Sequence, residues 1–180
     1  MALPNILGKV KLKFKNVQLG WVYGLALLVL SLDQMSKYLI ELNLGPFGSG
    51  KTLMVGGGLI LKYSKNNGAS NNILENTSWL LAFVAALAAL TMIFYYHRIV
   101  PKSRLQQSAI GLLLGGTLGN LFDRIFKDGF VTDFIYLDWL PYAKNFNLAD
   151  MAIRSGVIAI LVVFVRHIQQ PKTHEEAKTN

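Results

Sequence analysis

Long apolar stretches separated by short polar intervals set the pattern of this chain. Four windows, Trp21 to Ile40, Trp79 to Tyr96, Leu105 to Phe122 and Ala149 to Val165, are predominantly apolar. Each comes close to the roughly 20 residues an α-helix needs to cross about 30 Å of hydrocarbon. After the first window the pattern changes. Glycines at 45, 48, 50, 56, 57 and 58 lead into Leu59-Ile60-Leu61-Lys62-Tyr63-Ser64, which reads as a short strand. Asn66-Asn67-Gly68 follows as a turn signal, and by itself this signal reads as a hairpin. Beyond the third window lies Phe130 to Leu137, an apolar run with one acid, Asp133, in its middle.

The polar residues that interrupt the windows collect at helix ends. In the third window Gly111, Gly115 and Gly119 share one face, a small-xxx-small pattern that lets a neighbouring helix approach closely. Asn120, Asp123 and Arg124 then follow at i, i+3 and i+4 on one side. The fourth window opens with Asn147 and Asp150, and the first carries Asp33, Ser36 and Lys37 near its far end. Asp33 and Lys37 are four residues apart and can pair on one helix face, which lowers the cost of both charges.

Composition and charge agree with a membrane as solvent. The 180 residues are 52% hydrophobic and 16% charged, with a formal charge of +8. The basic residues form no stripe with interleaved aromatics, which argues against nucleic acid as a partner. They flank the windows instead: Lys9, Lys11, Lys13 and Lys15 before the first, Arg98, Lys102 and Arg104 between the second and third, and Arg166, Lys172 and Lys178 after the fourth. The positive-inside rule puts these three clusters, and both termini, in the cytoplasm. Residues 1–18 are then a basic segment against the cytoplasmic surface. The first window is too long for a signal-peptide core and is followed by no small-residue cleavage site, so it reads as a retained helix. The pattern therefore predicts an all-α membrane protein of one domain, residues 1–180, with transmembrane helices at about 21–40, 79–96, 105–123 and 149–166. Outer loops at about 41–78 and 124–148 would form a small β-sheet or loop region at the outer membrane surface.

Cysteine is absent, and His97, His167 and His174 all fall on the cytoplasmic side, so thiol and histidine-based nucleophilic chemistry is excluded. Carboxylates and water remain. Two aspartates held close cannot both ionise, so one can activate water while the other keeps a proton and polarises a carbonyl. Taken singly, Asp150 reads as an acid favoured by a helix dipole, Asp123 as a structural partner of a cation, and Asp138 as a loop acid. A four-helix transporter or a scaffold with paired membrane-edge carboxylates is the competing reading. A proton relay would need groups at mid-membrane, and the polar residues lie at one edge, Arg154 excepted. Arg154, four residues beyond Asp150, is expected to snorkel toward headgroups rather than pair with the acid.

Gly115-Gly116-Thr117-Leu118-Gly119-Asn120-Leu121-Phe122-Asp123-Arg124, Val131-Thr132-Asp133-Phe134 and Phe146-Asn147-Leu148-Ala149-Asp150 resemble the signature blocks of the lipoprotein signal peptidases, signal peptidase II. Leu32-Asp33-Gln34-Met35-Ser36-Lys37 and Asn66-Asn67-Gly68-Ala69 match further blocks of that family, in order, across Trp21 to Arg166. Ser70 and Asn71 depart from its usual continuation of the last block, a small residue and then Phe. The resemblance implies an aspartyl endopeptidase of the bacterial inner membrane, its active site at the extracytoplasmic face. It would remove the signal peptide from diacylglyceryl-modified prolipoproteins, cutting before the lipidated cysteine. It implies Asp133 and Asp150 as the catalytic pair, and Asn66, Gly68, Asn120, Arg124 and Asn147 as residues lining the site for substrate and for lipopeptide inhibitors. Asp33, Lys37 and Asp123 would support them. No metal or other cofactor is implied, and the enzyme is expected to act as a monomer among membrane lipids.

Overall fold

The computed structural model describes residues 6–46, 48–68, 77–96, 103–139 and 145–169, with side chains from residue 19 onward except that of Tyr95. Ala69, Ser70 and Asn71 of the first-loop motif, and the basic residues at 9–15, 98, 102, 172 and 178, lie outside the described backbone or side chains. The elements run α1 (Ile6–Leu44), β1 (Thr52–Gly56), β2 (Leu59–Asn66), α2 (Ser78–Tyr96), α3 (Arg104–Phe126), β3 (Val131–Leu137) and α4 (Leu148–Ile168). Three stretches, Leu19–Leu44, Arg104–Phe126 and Leu148–Ile168, are long and apolar enough to cross a membrane, while the apolar part of α2, Ser78–Phe94, is shorter. The first helix begins at Ile6, so residues 6–18, expected as a separate surface segment, continue α1 instead.

α3 is the axis of the bundle, because its glycines remove the side chains that would hold neighbours away. A Cβ at Gly115 would lie 2.6 Å from the Ala26 carbonyl oxygen and 2.7 Å from Val29 Cβ of α1. One at Gly116 would lie 2.8 Å from Ile153 Cγ1 of α4, and Gly156 of α4 returns the favour, its Cβ position 2.7 Å from Leu113 Cγ. α2 closes the other side, where Ala89, Met92 and Ile93 pack with Ala26, Tyr23, Leu114 and Leu118, and Tyr23 meets Tyr96 edge-on at 6.2 Å. α3 starts on a Ser103–Gln106 capping box and ends where Asp128 and Gly129 take positive φ, turning the chain directly into β3.

The sheet has order β1-β2-β3, antiparallel throughout. Its hairpin turns at Gly57 and Gly58, both at positive φ, the conformation a two-residue hairpin loop requires. Among the described residues Asn66-Asn67-Gly68 closes no hairpin: the Gly68 N–H donates to Asn66 Oδ1 at 2.9 Å, a local turn at the end of β2. The apolar run Val131 to Leu137, which had no assigned structure in the sequence, is the third strand. Between the Leu61–Ile135 and Ser64–Asp133 pairs, β2 carries one more residue than β3. Such a bulge re-aims the side chains beyond it, and here those include Asn66 and Asp133.

Candidate active site

Three buried charges fasten the C-terminal ends of α1 and α3. Lys37 Nζ lies 2.7 Å from Asp33 Oδ2 and 2.9 Å from Asp123 Oδ2, and all three side chains are fully buried. The i, i+4 pair expected in the first helix is therefore part of a triad, and Asp123 pairs with Lys37 and, at 3.4 Å, with Lys127 rather than with the adjacent Arg124. Every carboxylate oxygen of the two acids is used, and Asp123 Oδ2 twice. Asp33 Oδ1 accepts from the Ala149 N–H at 2.9 Å, which anchors the start of α4, and Asp123 Oδ2 accepts from the Thr132 N–H at 3.0 Å, which anchors β3. Gln34 Nε2 donates to Asp33 Oδ2, the Gly119 carbonyl and Asp123 Oδ1 at 3.1–3.2 Å. A lysine buried with two acids is tolerable only with this degree of hydrogen bonding.

Asn120 hands the triad on to a second pair of acids. Its Oδ1 accepts from Lys37 Nζ at 3.2 Å and from Asn147 Nδ2 at 3.1 Å, while its Nδ2 donates to Asp150 Oδ1 at 2.8 Å. Asn147 is the N-cap of α4: its Oδ1 accepts from the Asp150 N–H at 2.9 Å, and Asp150 Oδ2 accepts from the Asn147 N–H at 3.4 Å. The acid favoured by a helix start and the acid beside Asp133 are thus the same residue, held by a capping box. Asn147 Nδ2 also donates to Asp133 Oδ1 at 2.7 Å and to the Thr132 carbonyl at 3.2 Å, and Asn66 Nδ2 donates to Asp133 Oδ2 at 2.9 Å. Asp133 is 2% exposed. Burial, and then the negative charge of Asp150, push its carboxyl up to about 7 despite the Asn66 and Asn147 amides.

Arg124 forms the rim. Its Nη2 donates to the Gly68 carbonyl at 3.1 Å and its Nη1 to the Asn120 carbonyl at 3.3 Å, so it ties the turn after β2 to α3. Its Nε is buried with no hydrogen-bond partner among the described residues. All ten residues singled out in the sequence, Asp33, Lys37, Asn66, Gly68, Asn120, Asp123, Arg124, Asp133, Asn147 and Asp150, join one continuous network. Asp138 stays outside it, exposed, its N–H donating to the Gly58 carbonyl. Arg154 is exposed with its guanidinium 5.3 Å from the Phe146 ring, and no ion pair with Asp150 is present among the described residues. Gln34, Glu41, Lys127 and Thr132 were missed. Lys127 carried a signal, lying four residues beyond Asp123. Gln34 sits inside a signature block, but nothing about Glu41 in the sequence points across 86 residues to Lys127.

Comparison with known proteins places this geometry. The chain matches the family model described as signal peptidase (SPase) II over residues 25–166. It is 41% identical over 136 residues to the lipoprotein signal peptidase of Moorella thermoacetica, covering 76% of this chain and 87% of that protein. With the lipoprotein signal peptidase of Syntrophomonas wolfei it shares 40% identity over 141 residues, 78% of this chain and 90% of the relative. Among solved structures it superposes on a bacterial membrane enzyme determined in meso at 2.3 Å, with TM-score 0.78 and 28% identity, over 87% of this chain and 94% of the other. The match spans every residue of the acid network, and the chain belongs to the signal peptidase II family, membrane aspartic peptidases.

Proposed function

We propose that this protein removes the signal peptide from diacylglyceryl-modified prolipoproteins, cutting before the lipidated cysteine, with Asp133 and Asp150 as the catalytic pair. The observation that carries the reading is the seating of these two acids. Asp133, buried and pushed up to about 7, holds the proton the pair shares and transfers it to the scissile carbonyl oxygen as the tetrahedral intermediate forms. Asp150 takes a proton from water, which attacks that carbonyl. Asp133 then becomes the base that receives a proton as the tetrahedral intermediate collapses and Asp150 returns its own to the leaving amine, so the pair ends as it began. Asn120 and Asn147 hold the carboxylates in place throughout, which is the orientation that such chemistry depends on.

Asn66, Gly68, Asn120, Arg124 and Asn147 line the substrate path in this reading, and Asp33, Lys37 and Asp123 support them. The unpartnered Nε of Arg124 is a donor available to a substrate carbonyl, or to a lipopeptide inhibitor occupying the same path. The chain works as a single-domain monomer with four membrane crossings, both termini cytoplasmic and the acids at the extracytoplasmic edge of the bacterial inner membrane. A transporter or scaffold is disfavoured because the acids converge on one helix start and one strand at a single edge of the bundle.

The test is cleavage of a diacylglyceryl-modified prolipoprotein peptide by the purified protein in detergent. Asp133→Asn and Asp150→Asn should each lower the rate by at least about a thousandfold, as loss of one member of a catalytic unit does, while the protein stays folded. Asp138→Asn should retain the normal rate, and EDTA should have no effect. Normal processing by Asp133→Asn, or loss of activity on chelation, would exclude the two-aspartate mechanism.

A further inference from the structure

A second polar cluster, outside the set above, sits one residue from Asp133. Glu41 comes from the C-terminal end of α1, Lys127 from the C-cap of α3 and Thr132 from β3. Lys127 Nζ donates to a Glu41 carboxylate oxygen and, at 3.2 Å, to Thr132 Oγ1, and Thr132 Oγ1 donates to the same Glu41 oxygen. Glu41 and Lys127 are partly exposed, and a cleft of about 220 Å³ opens on them, whereas Thr132 is 2% exposed. The two charges thus face the cleft, and the nearly buried Thr132 lies at its floor. Tyr63 of β2 lines the same cleft.

Every polar atom of Thr132 is engaged: N–H to Asp123, carbonyl from Asn147, hydroxyl with Glu41 and Lys127. The backbone bonds fix Thr132 to α3 and α4, and the hydroxyl bonds fix it to α1. A residue pinned from three helices cannot rotate or slide along the strand, and Asp133 is its immediate neighbour. We propose that the Glu41–Lys127–Thr132 cluster is a positioning device for the reaction, holding β3 at the depth that sets Asp133 against Asp150. Resting on the dyad reading, the inference adds three residues that never touch substrate.

Thr132→Val keeps the β-branched shape suited to a strand and removes only the hydroxyl. Because misplacement of a reacting group by a fraction of an ångström to 1 Å is costly, kcat should fall about tenfold with KM within about twofold of normal. Thr132→Ser, which restores the hydroxyl, should recover most of kcat. Glu41→Leu, in which Lys127 retains its pairing with Asp123, should lower kcat in the same direction and keeps the question open to test if Thr132→Val fails to fold. A normal kcat in Thr132→Val or in Glu41→Leu, or a loss in Thr132→Val that serine does not recover, overturns the proposal. Asp133→Asn in the same assay separates the two ideas. Activity there defeats the dyad, whereas an inactive Asp133→Asn beside a normal Thr132→Val defeats only the positioning role.

Discussion

At the scale of residues, the site depends on asparagine amides shared between acids. Asn147 donates to Asp133 through Nδ2 and accepts the Asp150 N–H through Oδ1, so one side chain sets the spacing of both carboxylates. An aspartate there would add a third negative charge, and a leucine would strip the cap from the Asp150 N–H and leave Asp133 with the Asn66 amide alone. Because burial and Asp150 raise Asp133 to about 7, the proton that the proposed mechanism draws on is present below that pH and is stripped above it. We expect kcat to fall about tenfold per pH unit on the alkaline side of about pH 7, with the apparent value belonging to the coupled pair rather than to one acid. A rate that stays flat to about pH 9 in the peptide assay would refute this assignment. The same group costs stability as pH rises from about 4 to about 7, because the folded carboxyl keeps a proton that the unfolded chain has released. The identities of these acids were legible in the sequence because each sits in a short block of distinctive spacing. Their partners were less so, since Gln34, Glu41 and Thr132 act through contacts that join distant elements.

At the scale of elements, glycine spacing and one strand decide how the acids meet. Gly111, Gly115 and Gly119 were readable as a packing face, and α1 does lie against them, with the Gly119 position 2.7 Å from Asp33 Oδ2. That closeness is what lets Asp33 reach across to the Ala149 N–H. The run Val131 to Leu137 was not readable as a strand. Its burial runs through Val131, Thr132, Asp133 and Phe134 without alternation, and an apolar run of this length has no period that separates strand from buried helix. It becomes a strand because β2 is available beside it, a tertiary fact. Helix packing gives a sharp test. Gly115→Val meets the Ala26 carbonyl oxygen at 2.6 Å and Val29 Cβ at 2.7 Å, so α1 must move away, and overpacking of this kind costs about 1–3 kcal/mol or more. Gly24 has nothing within 4 Å of its Cβ position, and Gly24→Ala should leave stability unchanged or slightly raised. Thermal unfolding in detergent reads both. Equal melting temperatures for Gly115→Val and the parent protein would contradict the close approach.

At the scale of the whole molecule, polarity is turned inside out. Of the seven largest fully buried side chains among the described residues, Lys37, Asn147, Thr132, Asp33, Asp123 and Asp133 are polar or charged, and only Val22 is apolar. Leu27, Leu28, Phe83, Leu87, Ile158, Leu161 and Phe164 are meanwhile exposed, an arrangement that water would not permit over so large an area and that lipid favours. The connections then argue for the number of crossings. The acid network joins the C-terminal ends of α1 and α3 to the N-terminal end of α4, so these three ends share one face. Trp21 Nε1 donates to Ser108 Oγ at 3.1 Å, which puts the earlier part of α1 beside the N-terminal end of α3 at the opposite face. The chain leaves α1 at the acid face and must re-enter α3 at the other. α2 is the apolar helix on that path, and its 19 residues rise about 28 Å at 1.5 Å each, close to the thickness of the hydrocarbon. This path supports the proposed four crossings, and Arg104 and Arg166, at the ends of α3 and α4 away from the acids, support the proposal that the acids face outward. Alkaline phosphatase fused after Gly57 or after Asp138 should be active, and fused after Ser103 or after Gln169 it should be silent. Activity after Ser103 equal to that after Gly57 would mean that α2 does not cross, and activity after Gln169 would place the fourth helix in the opposite sense.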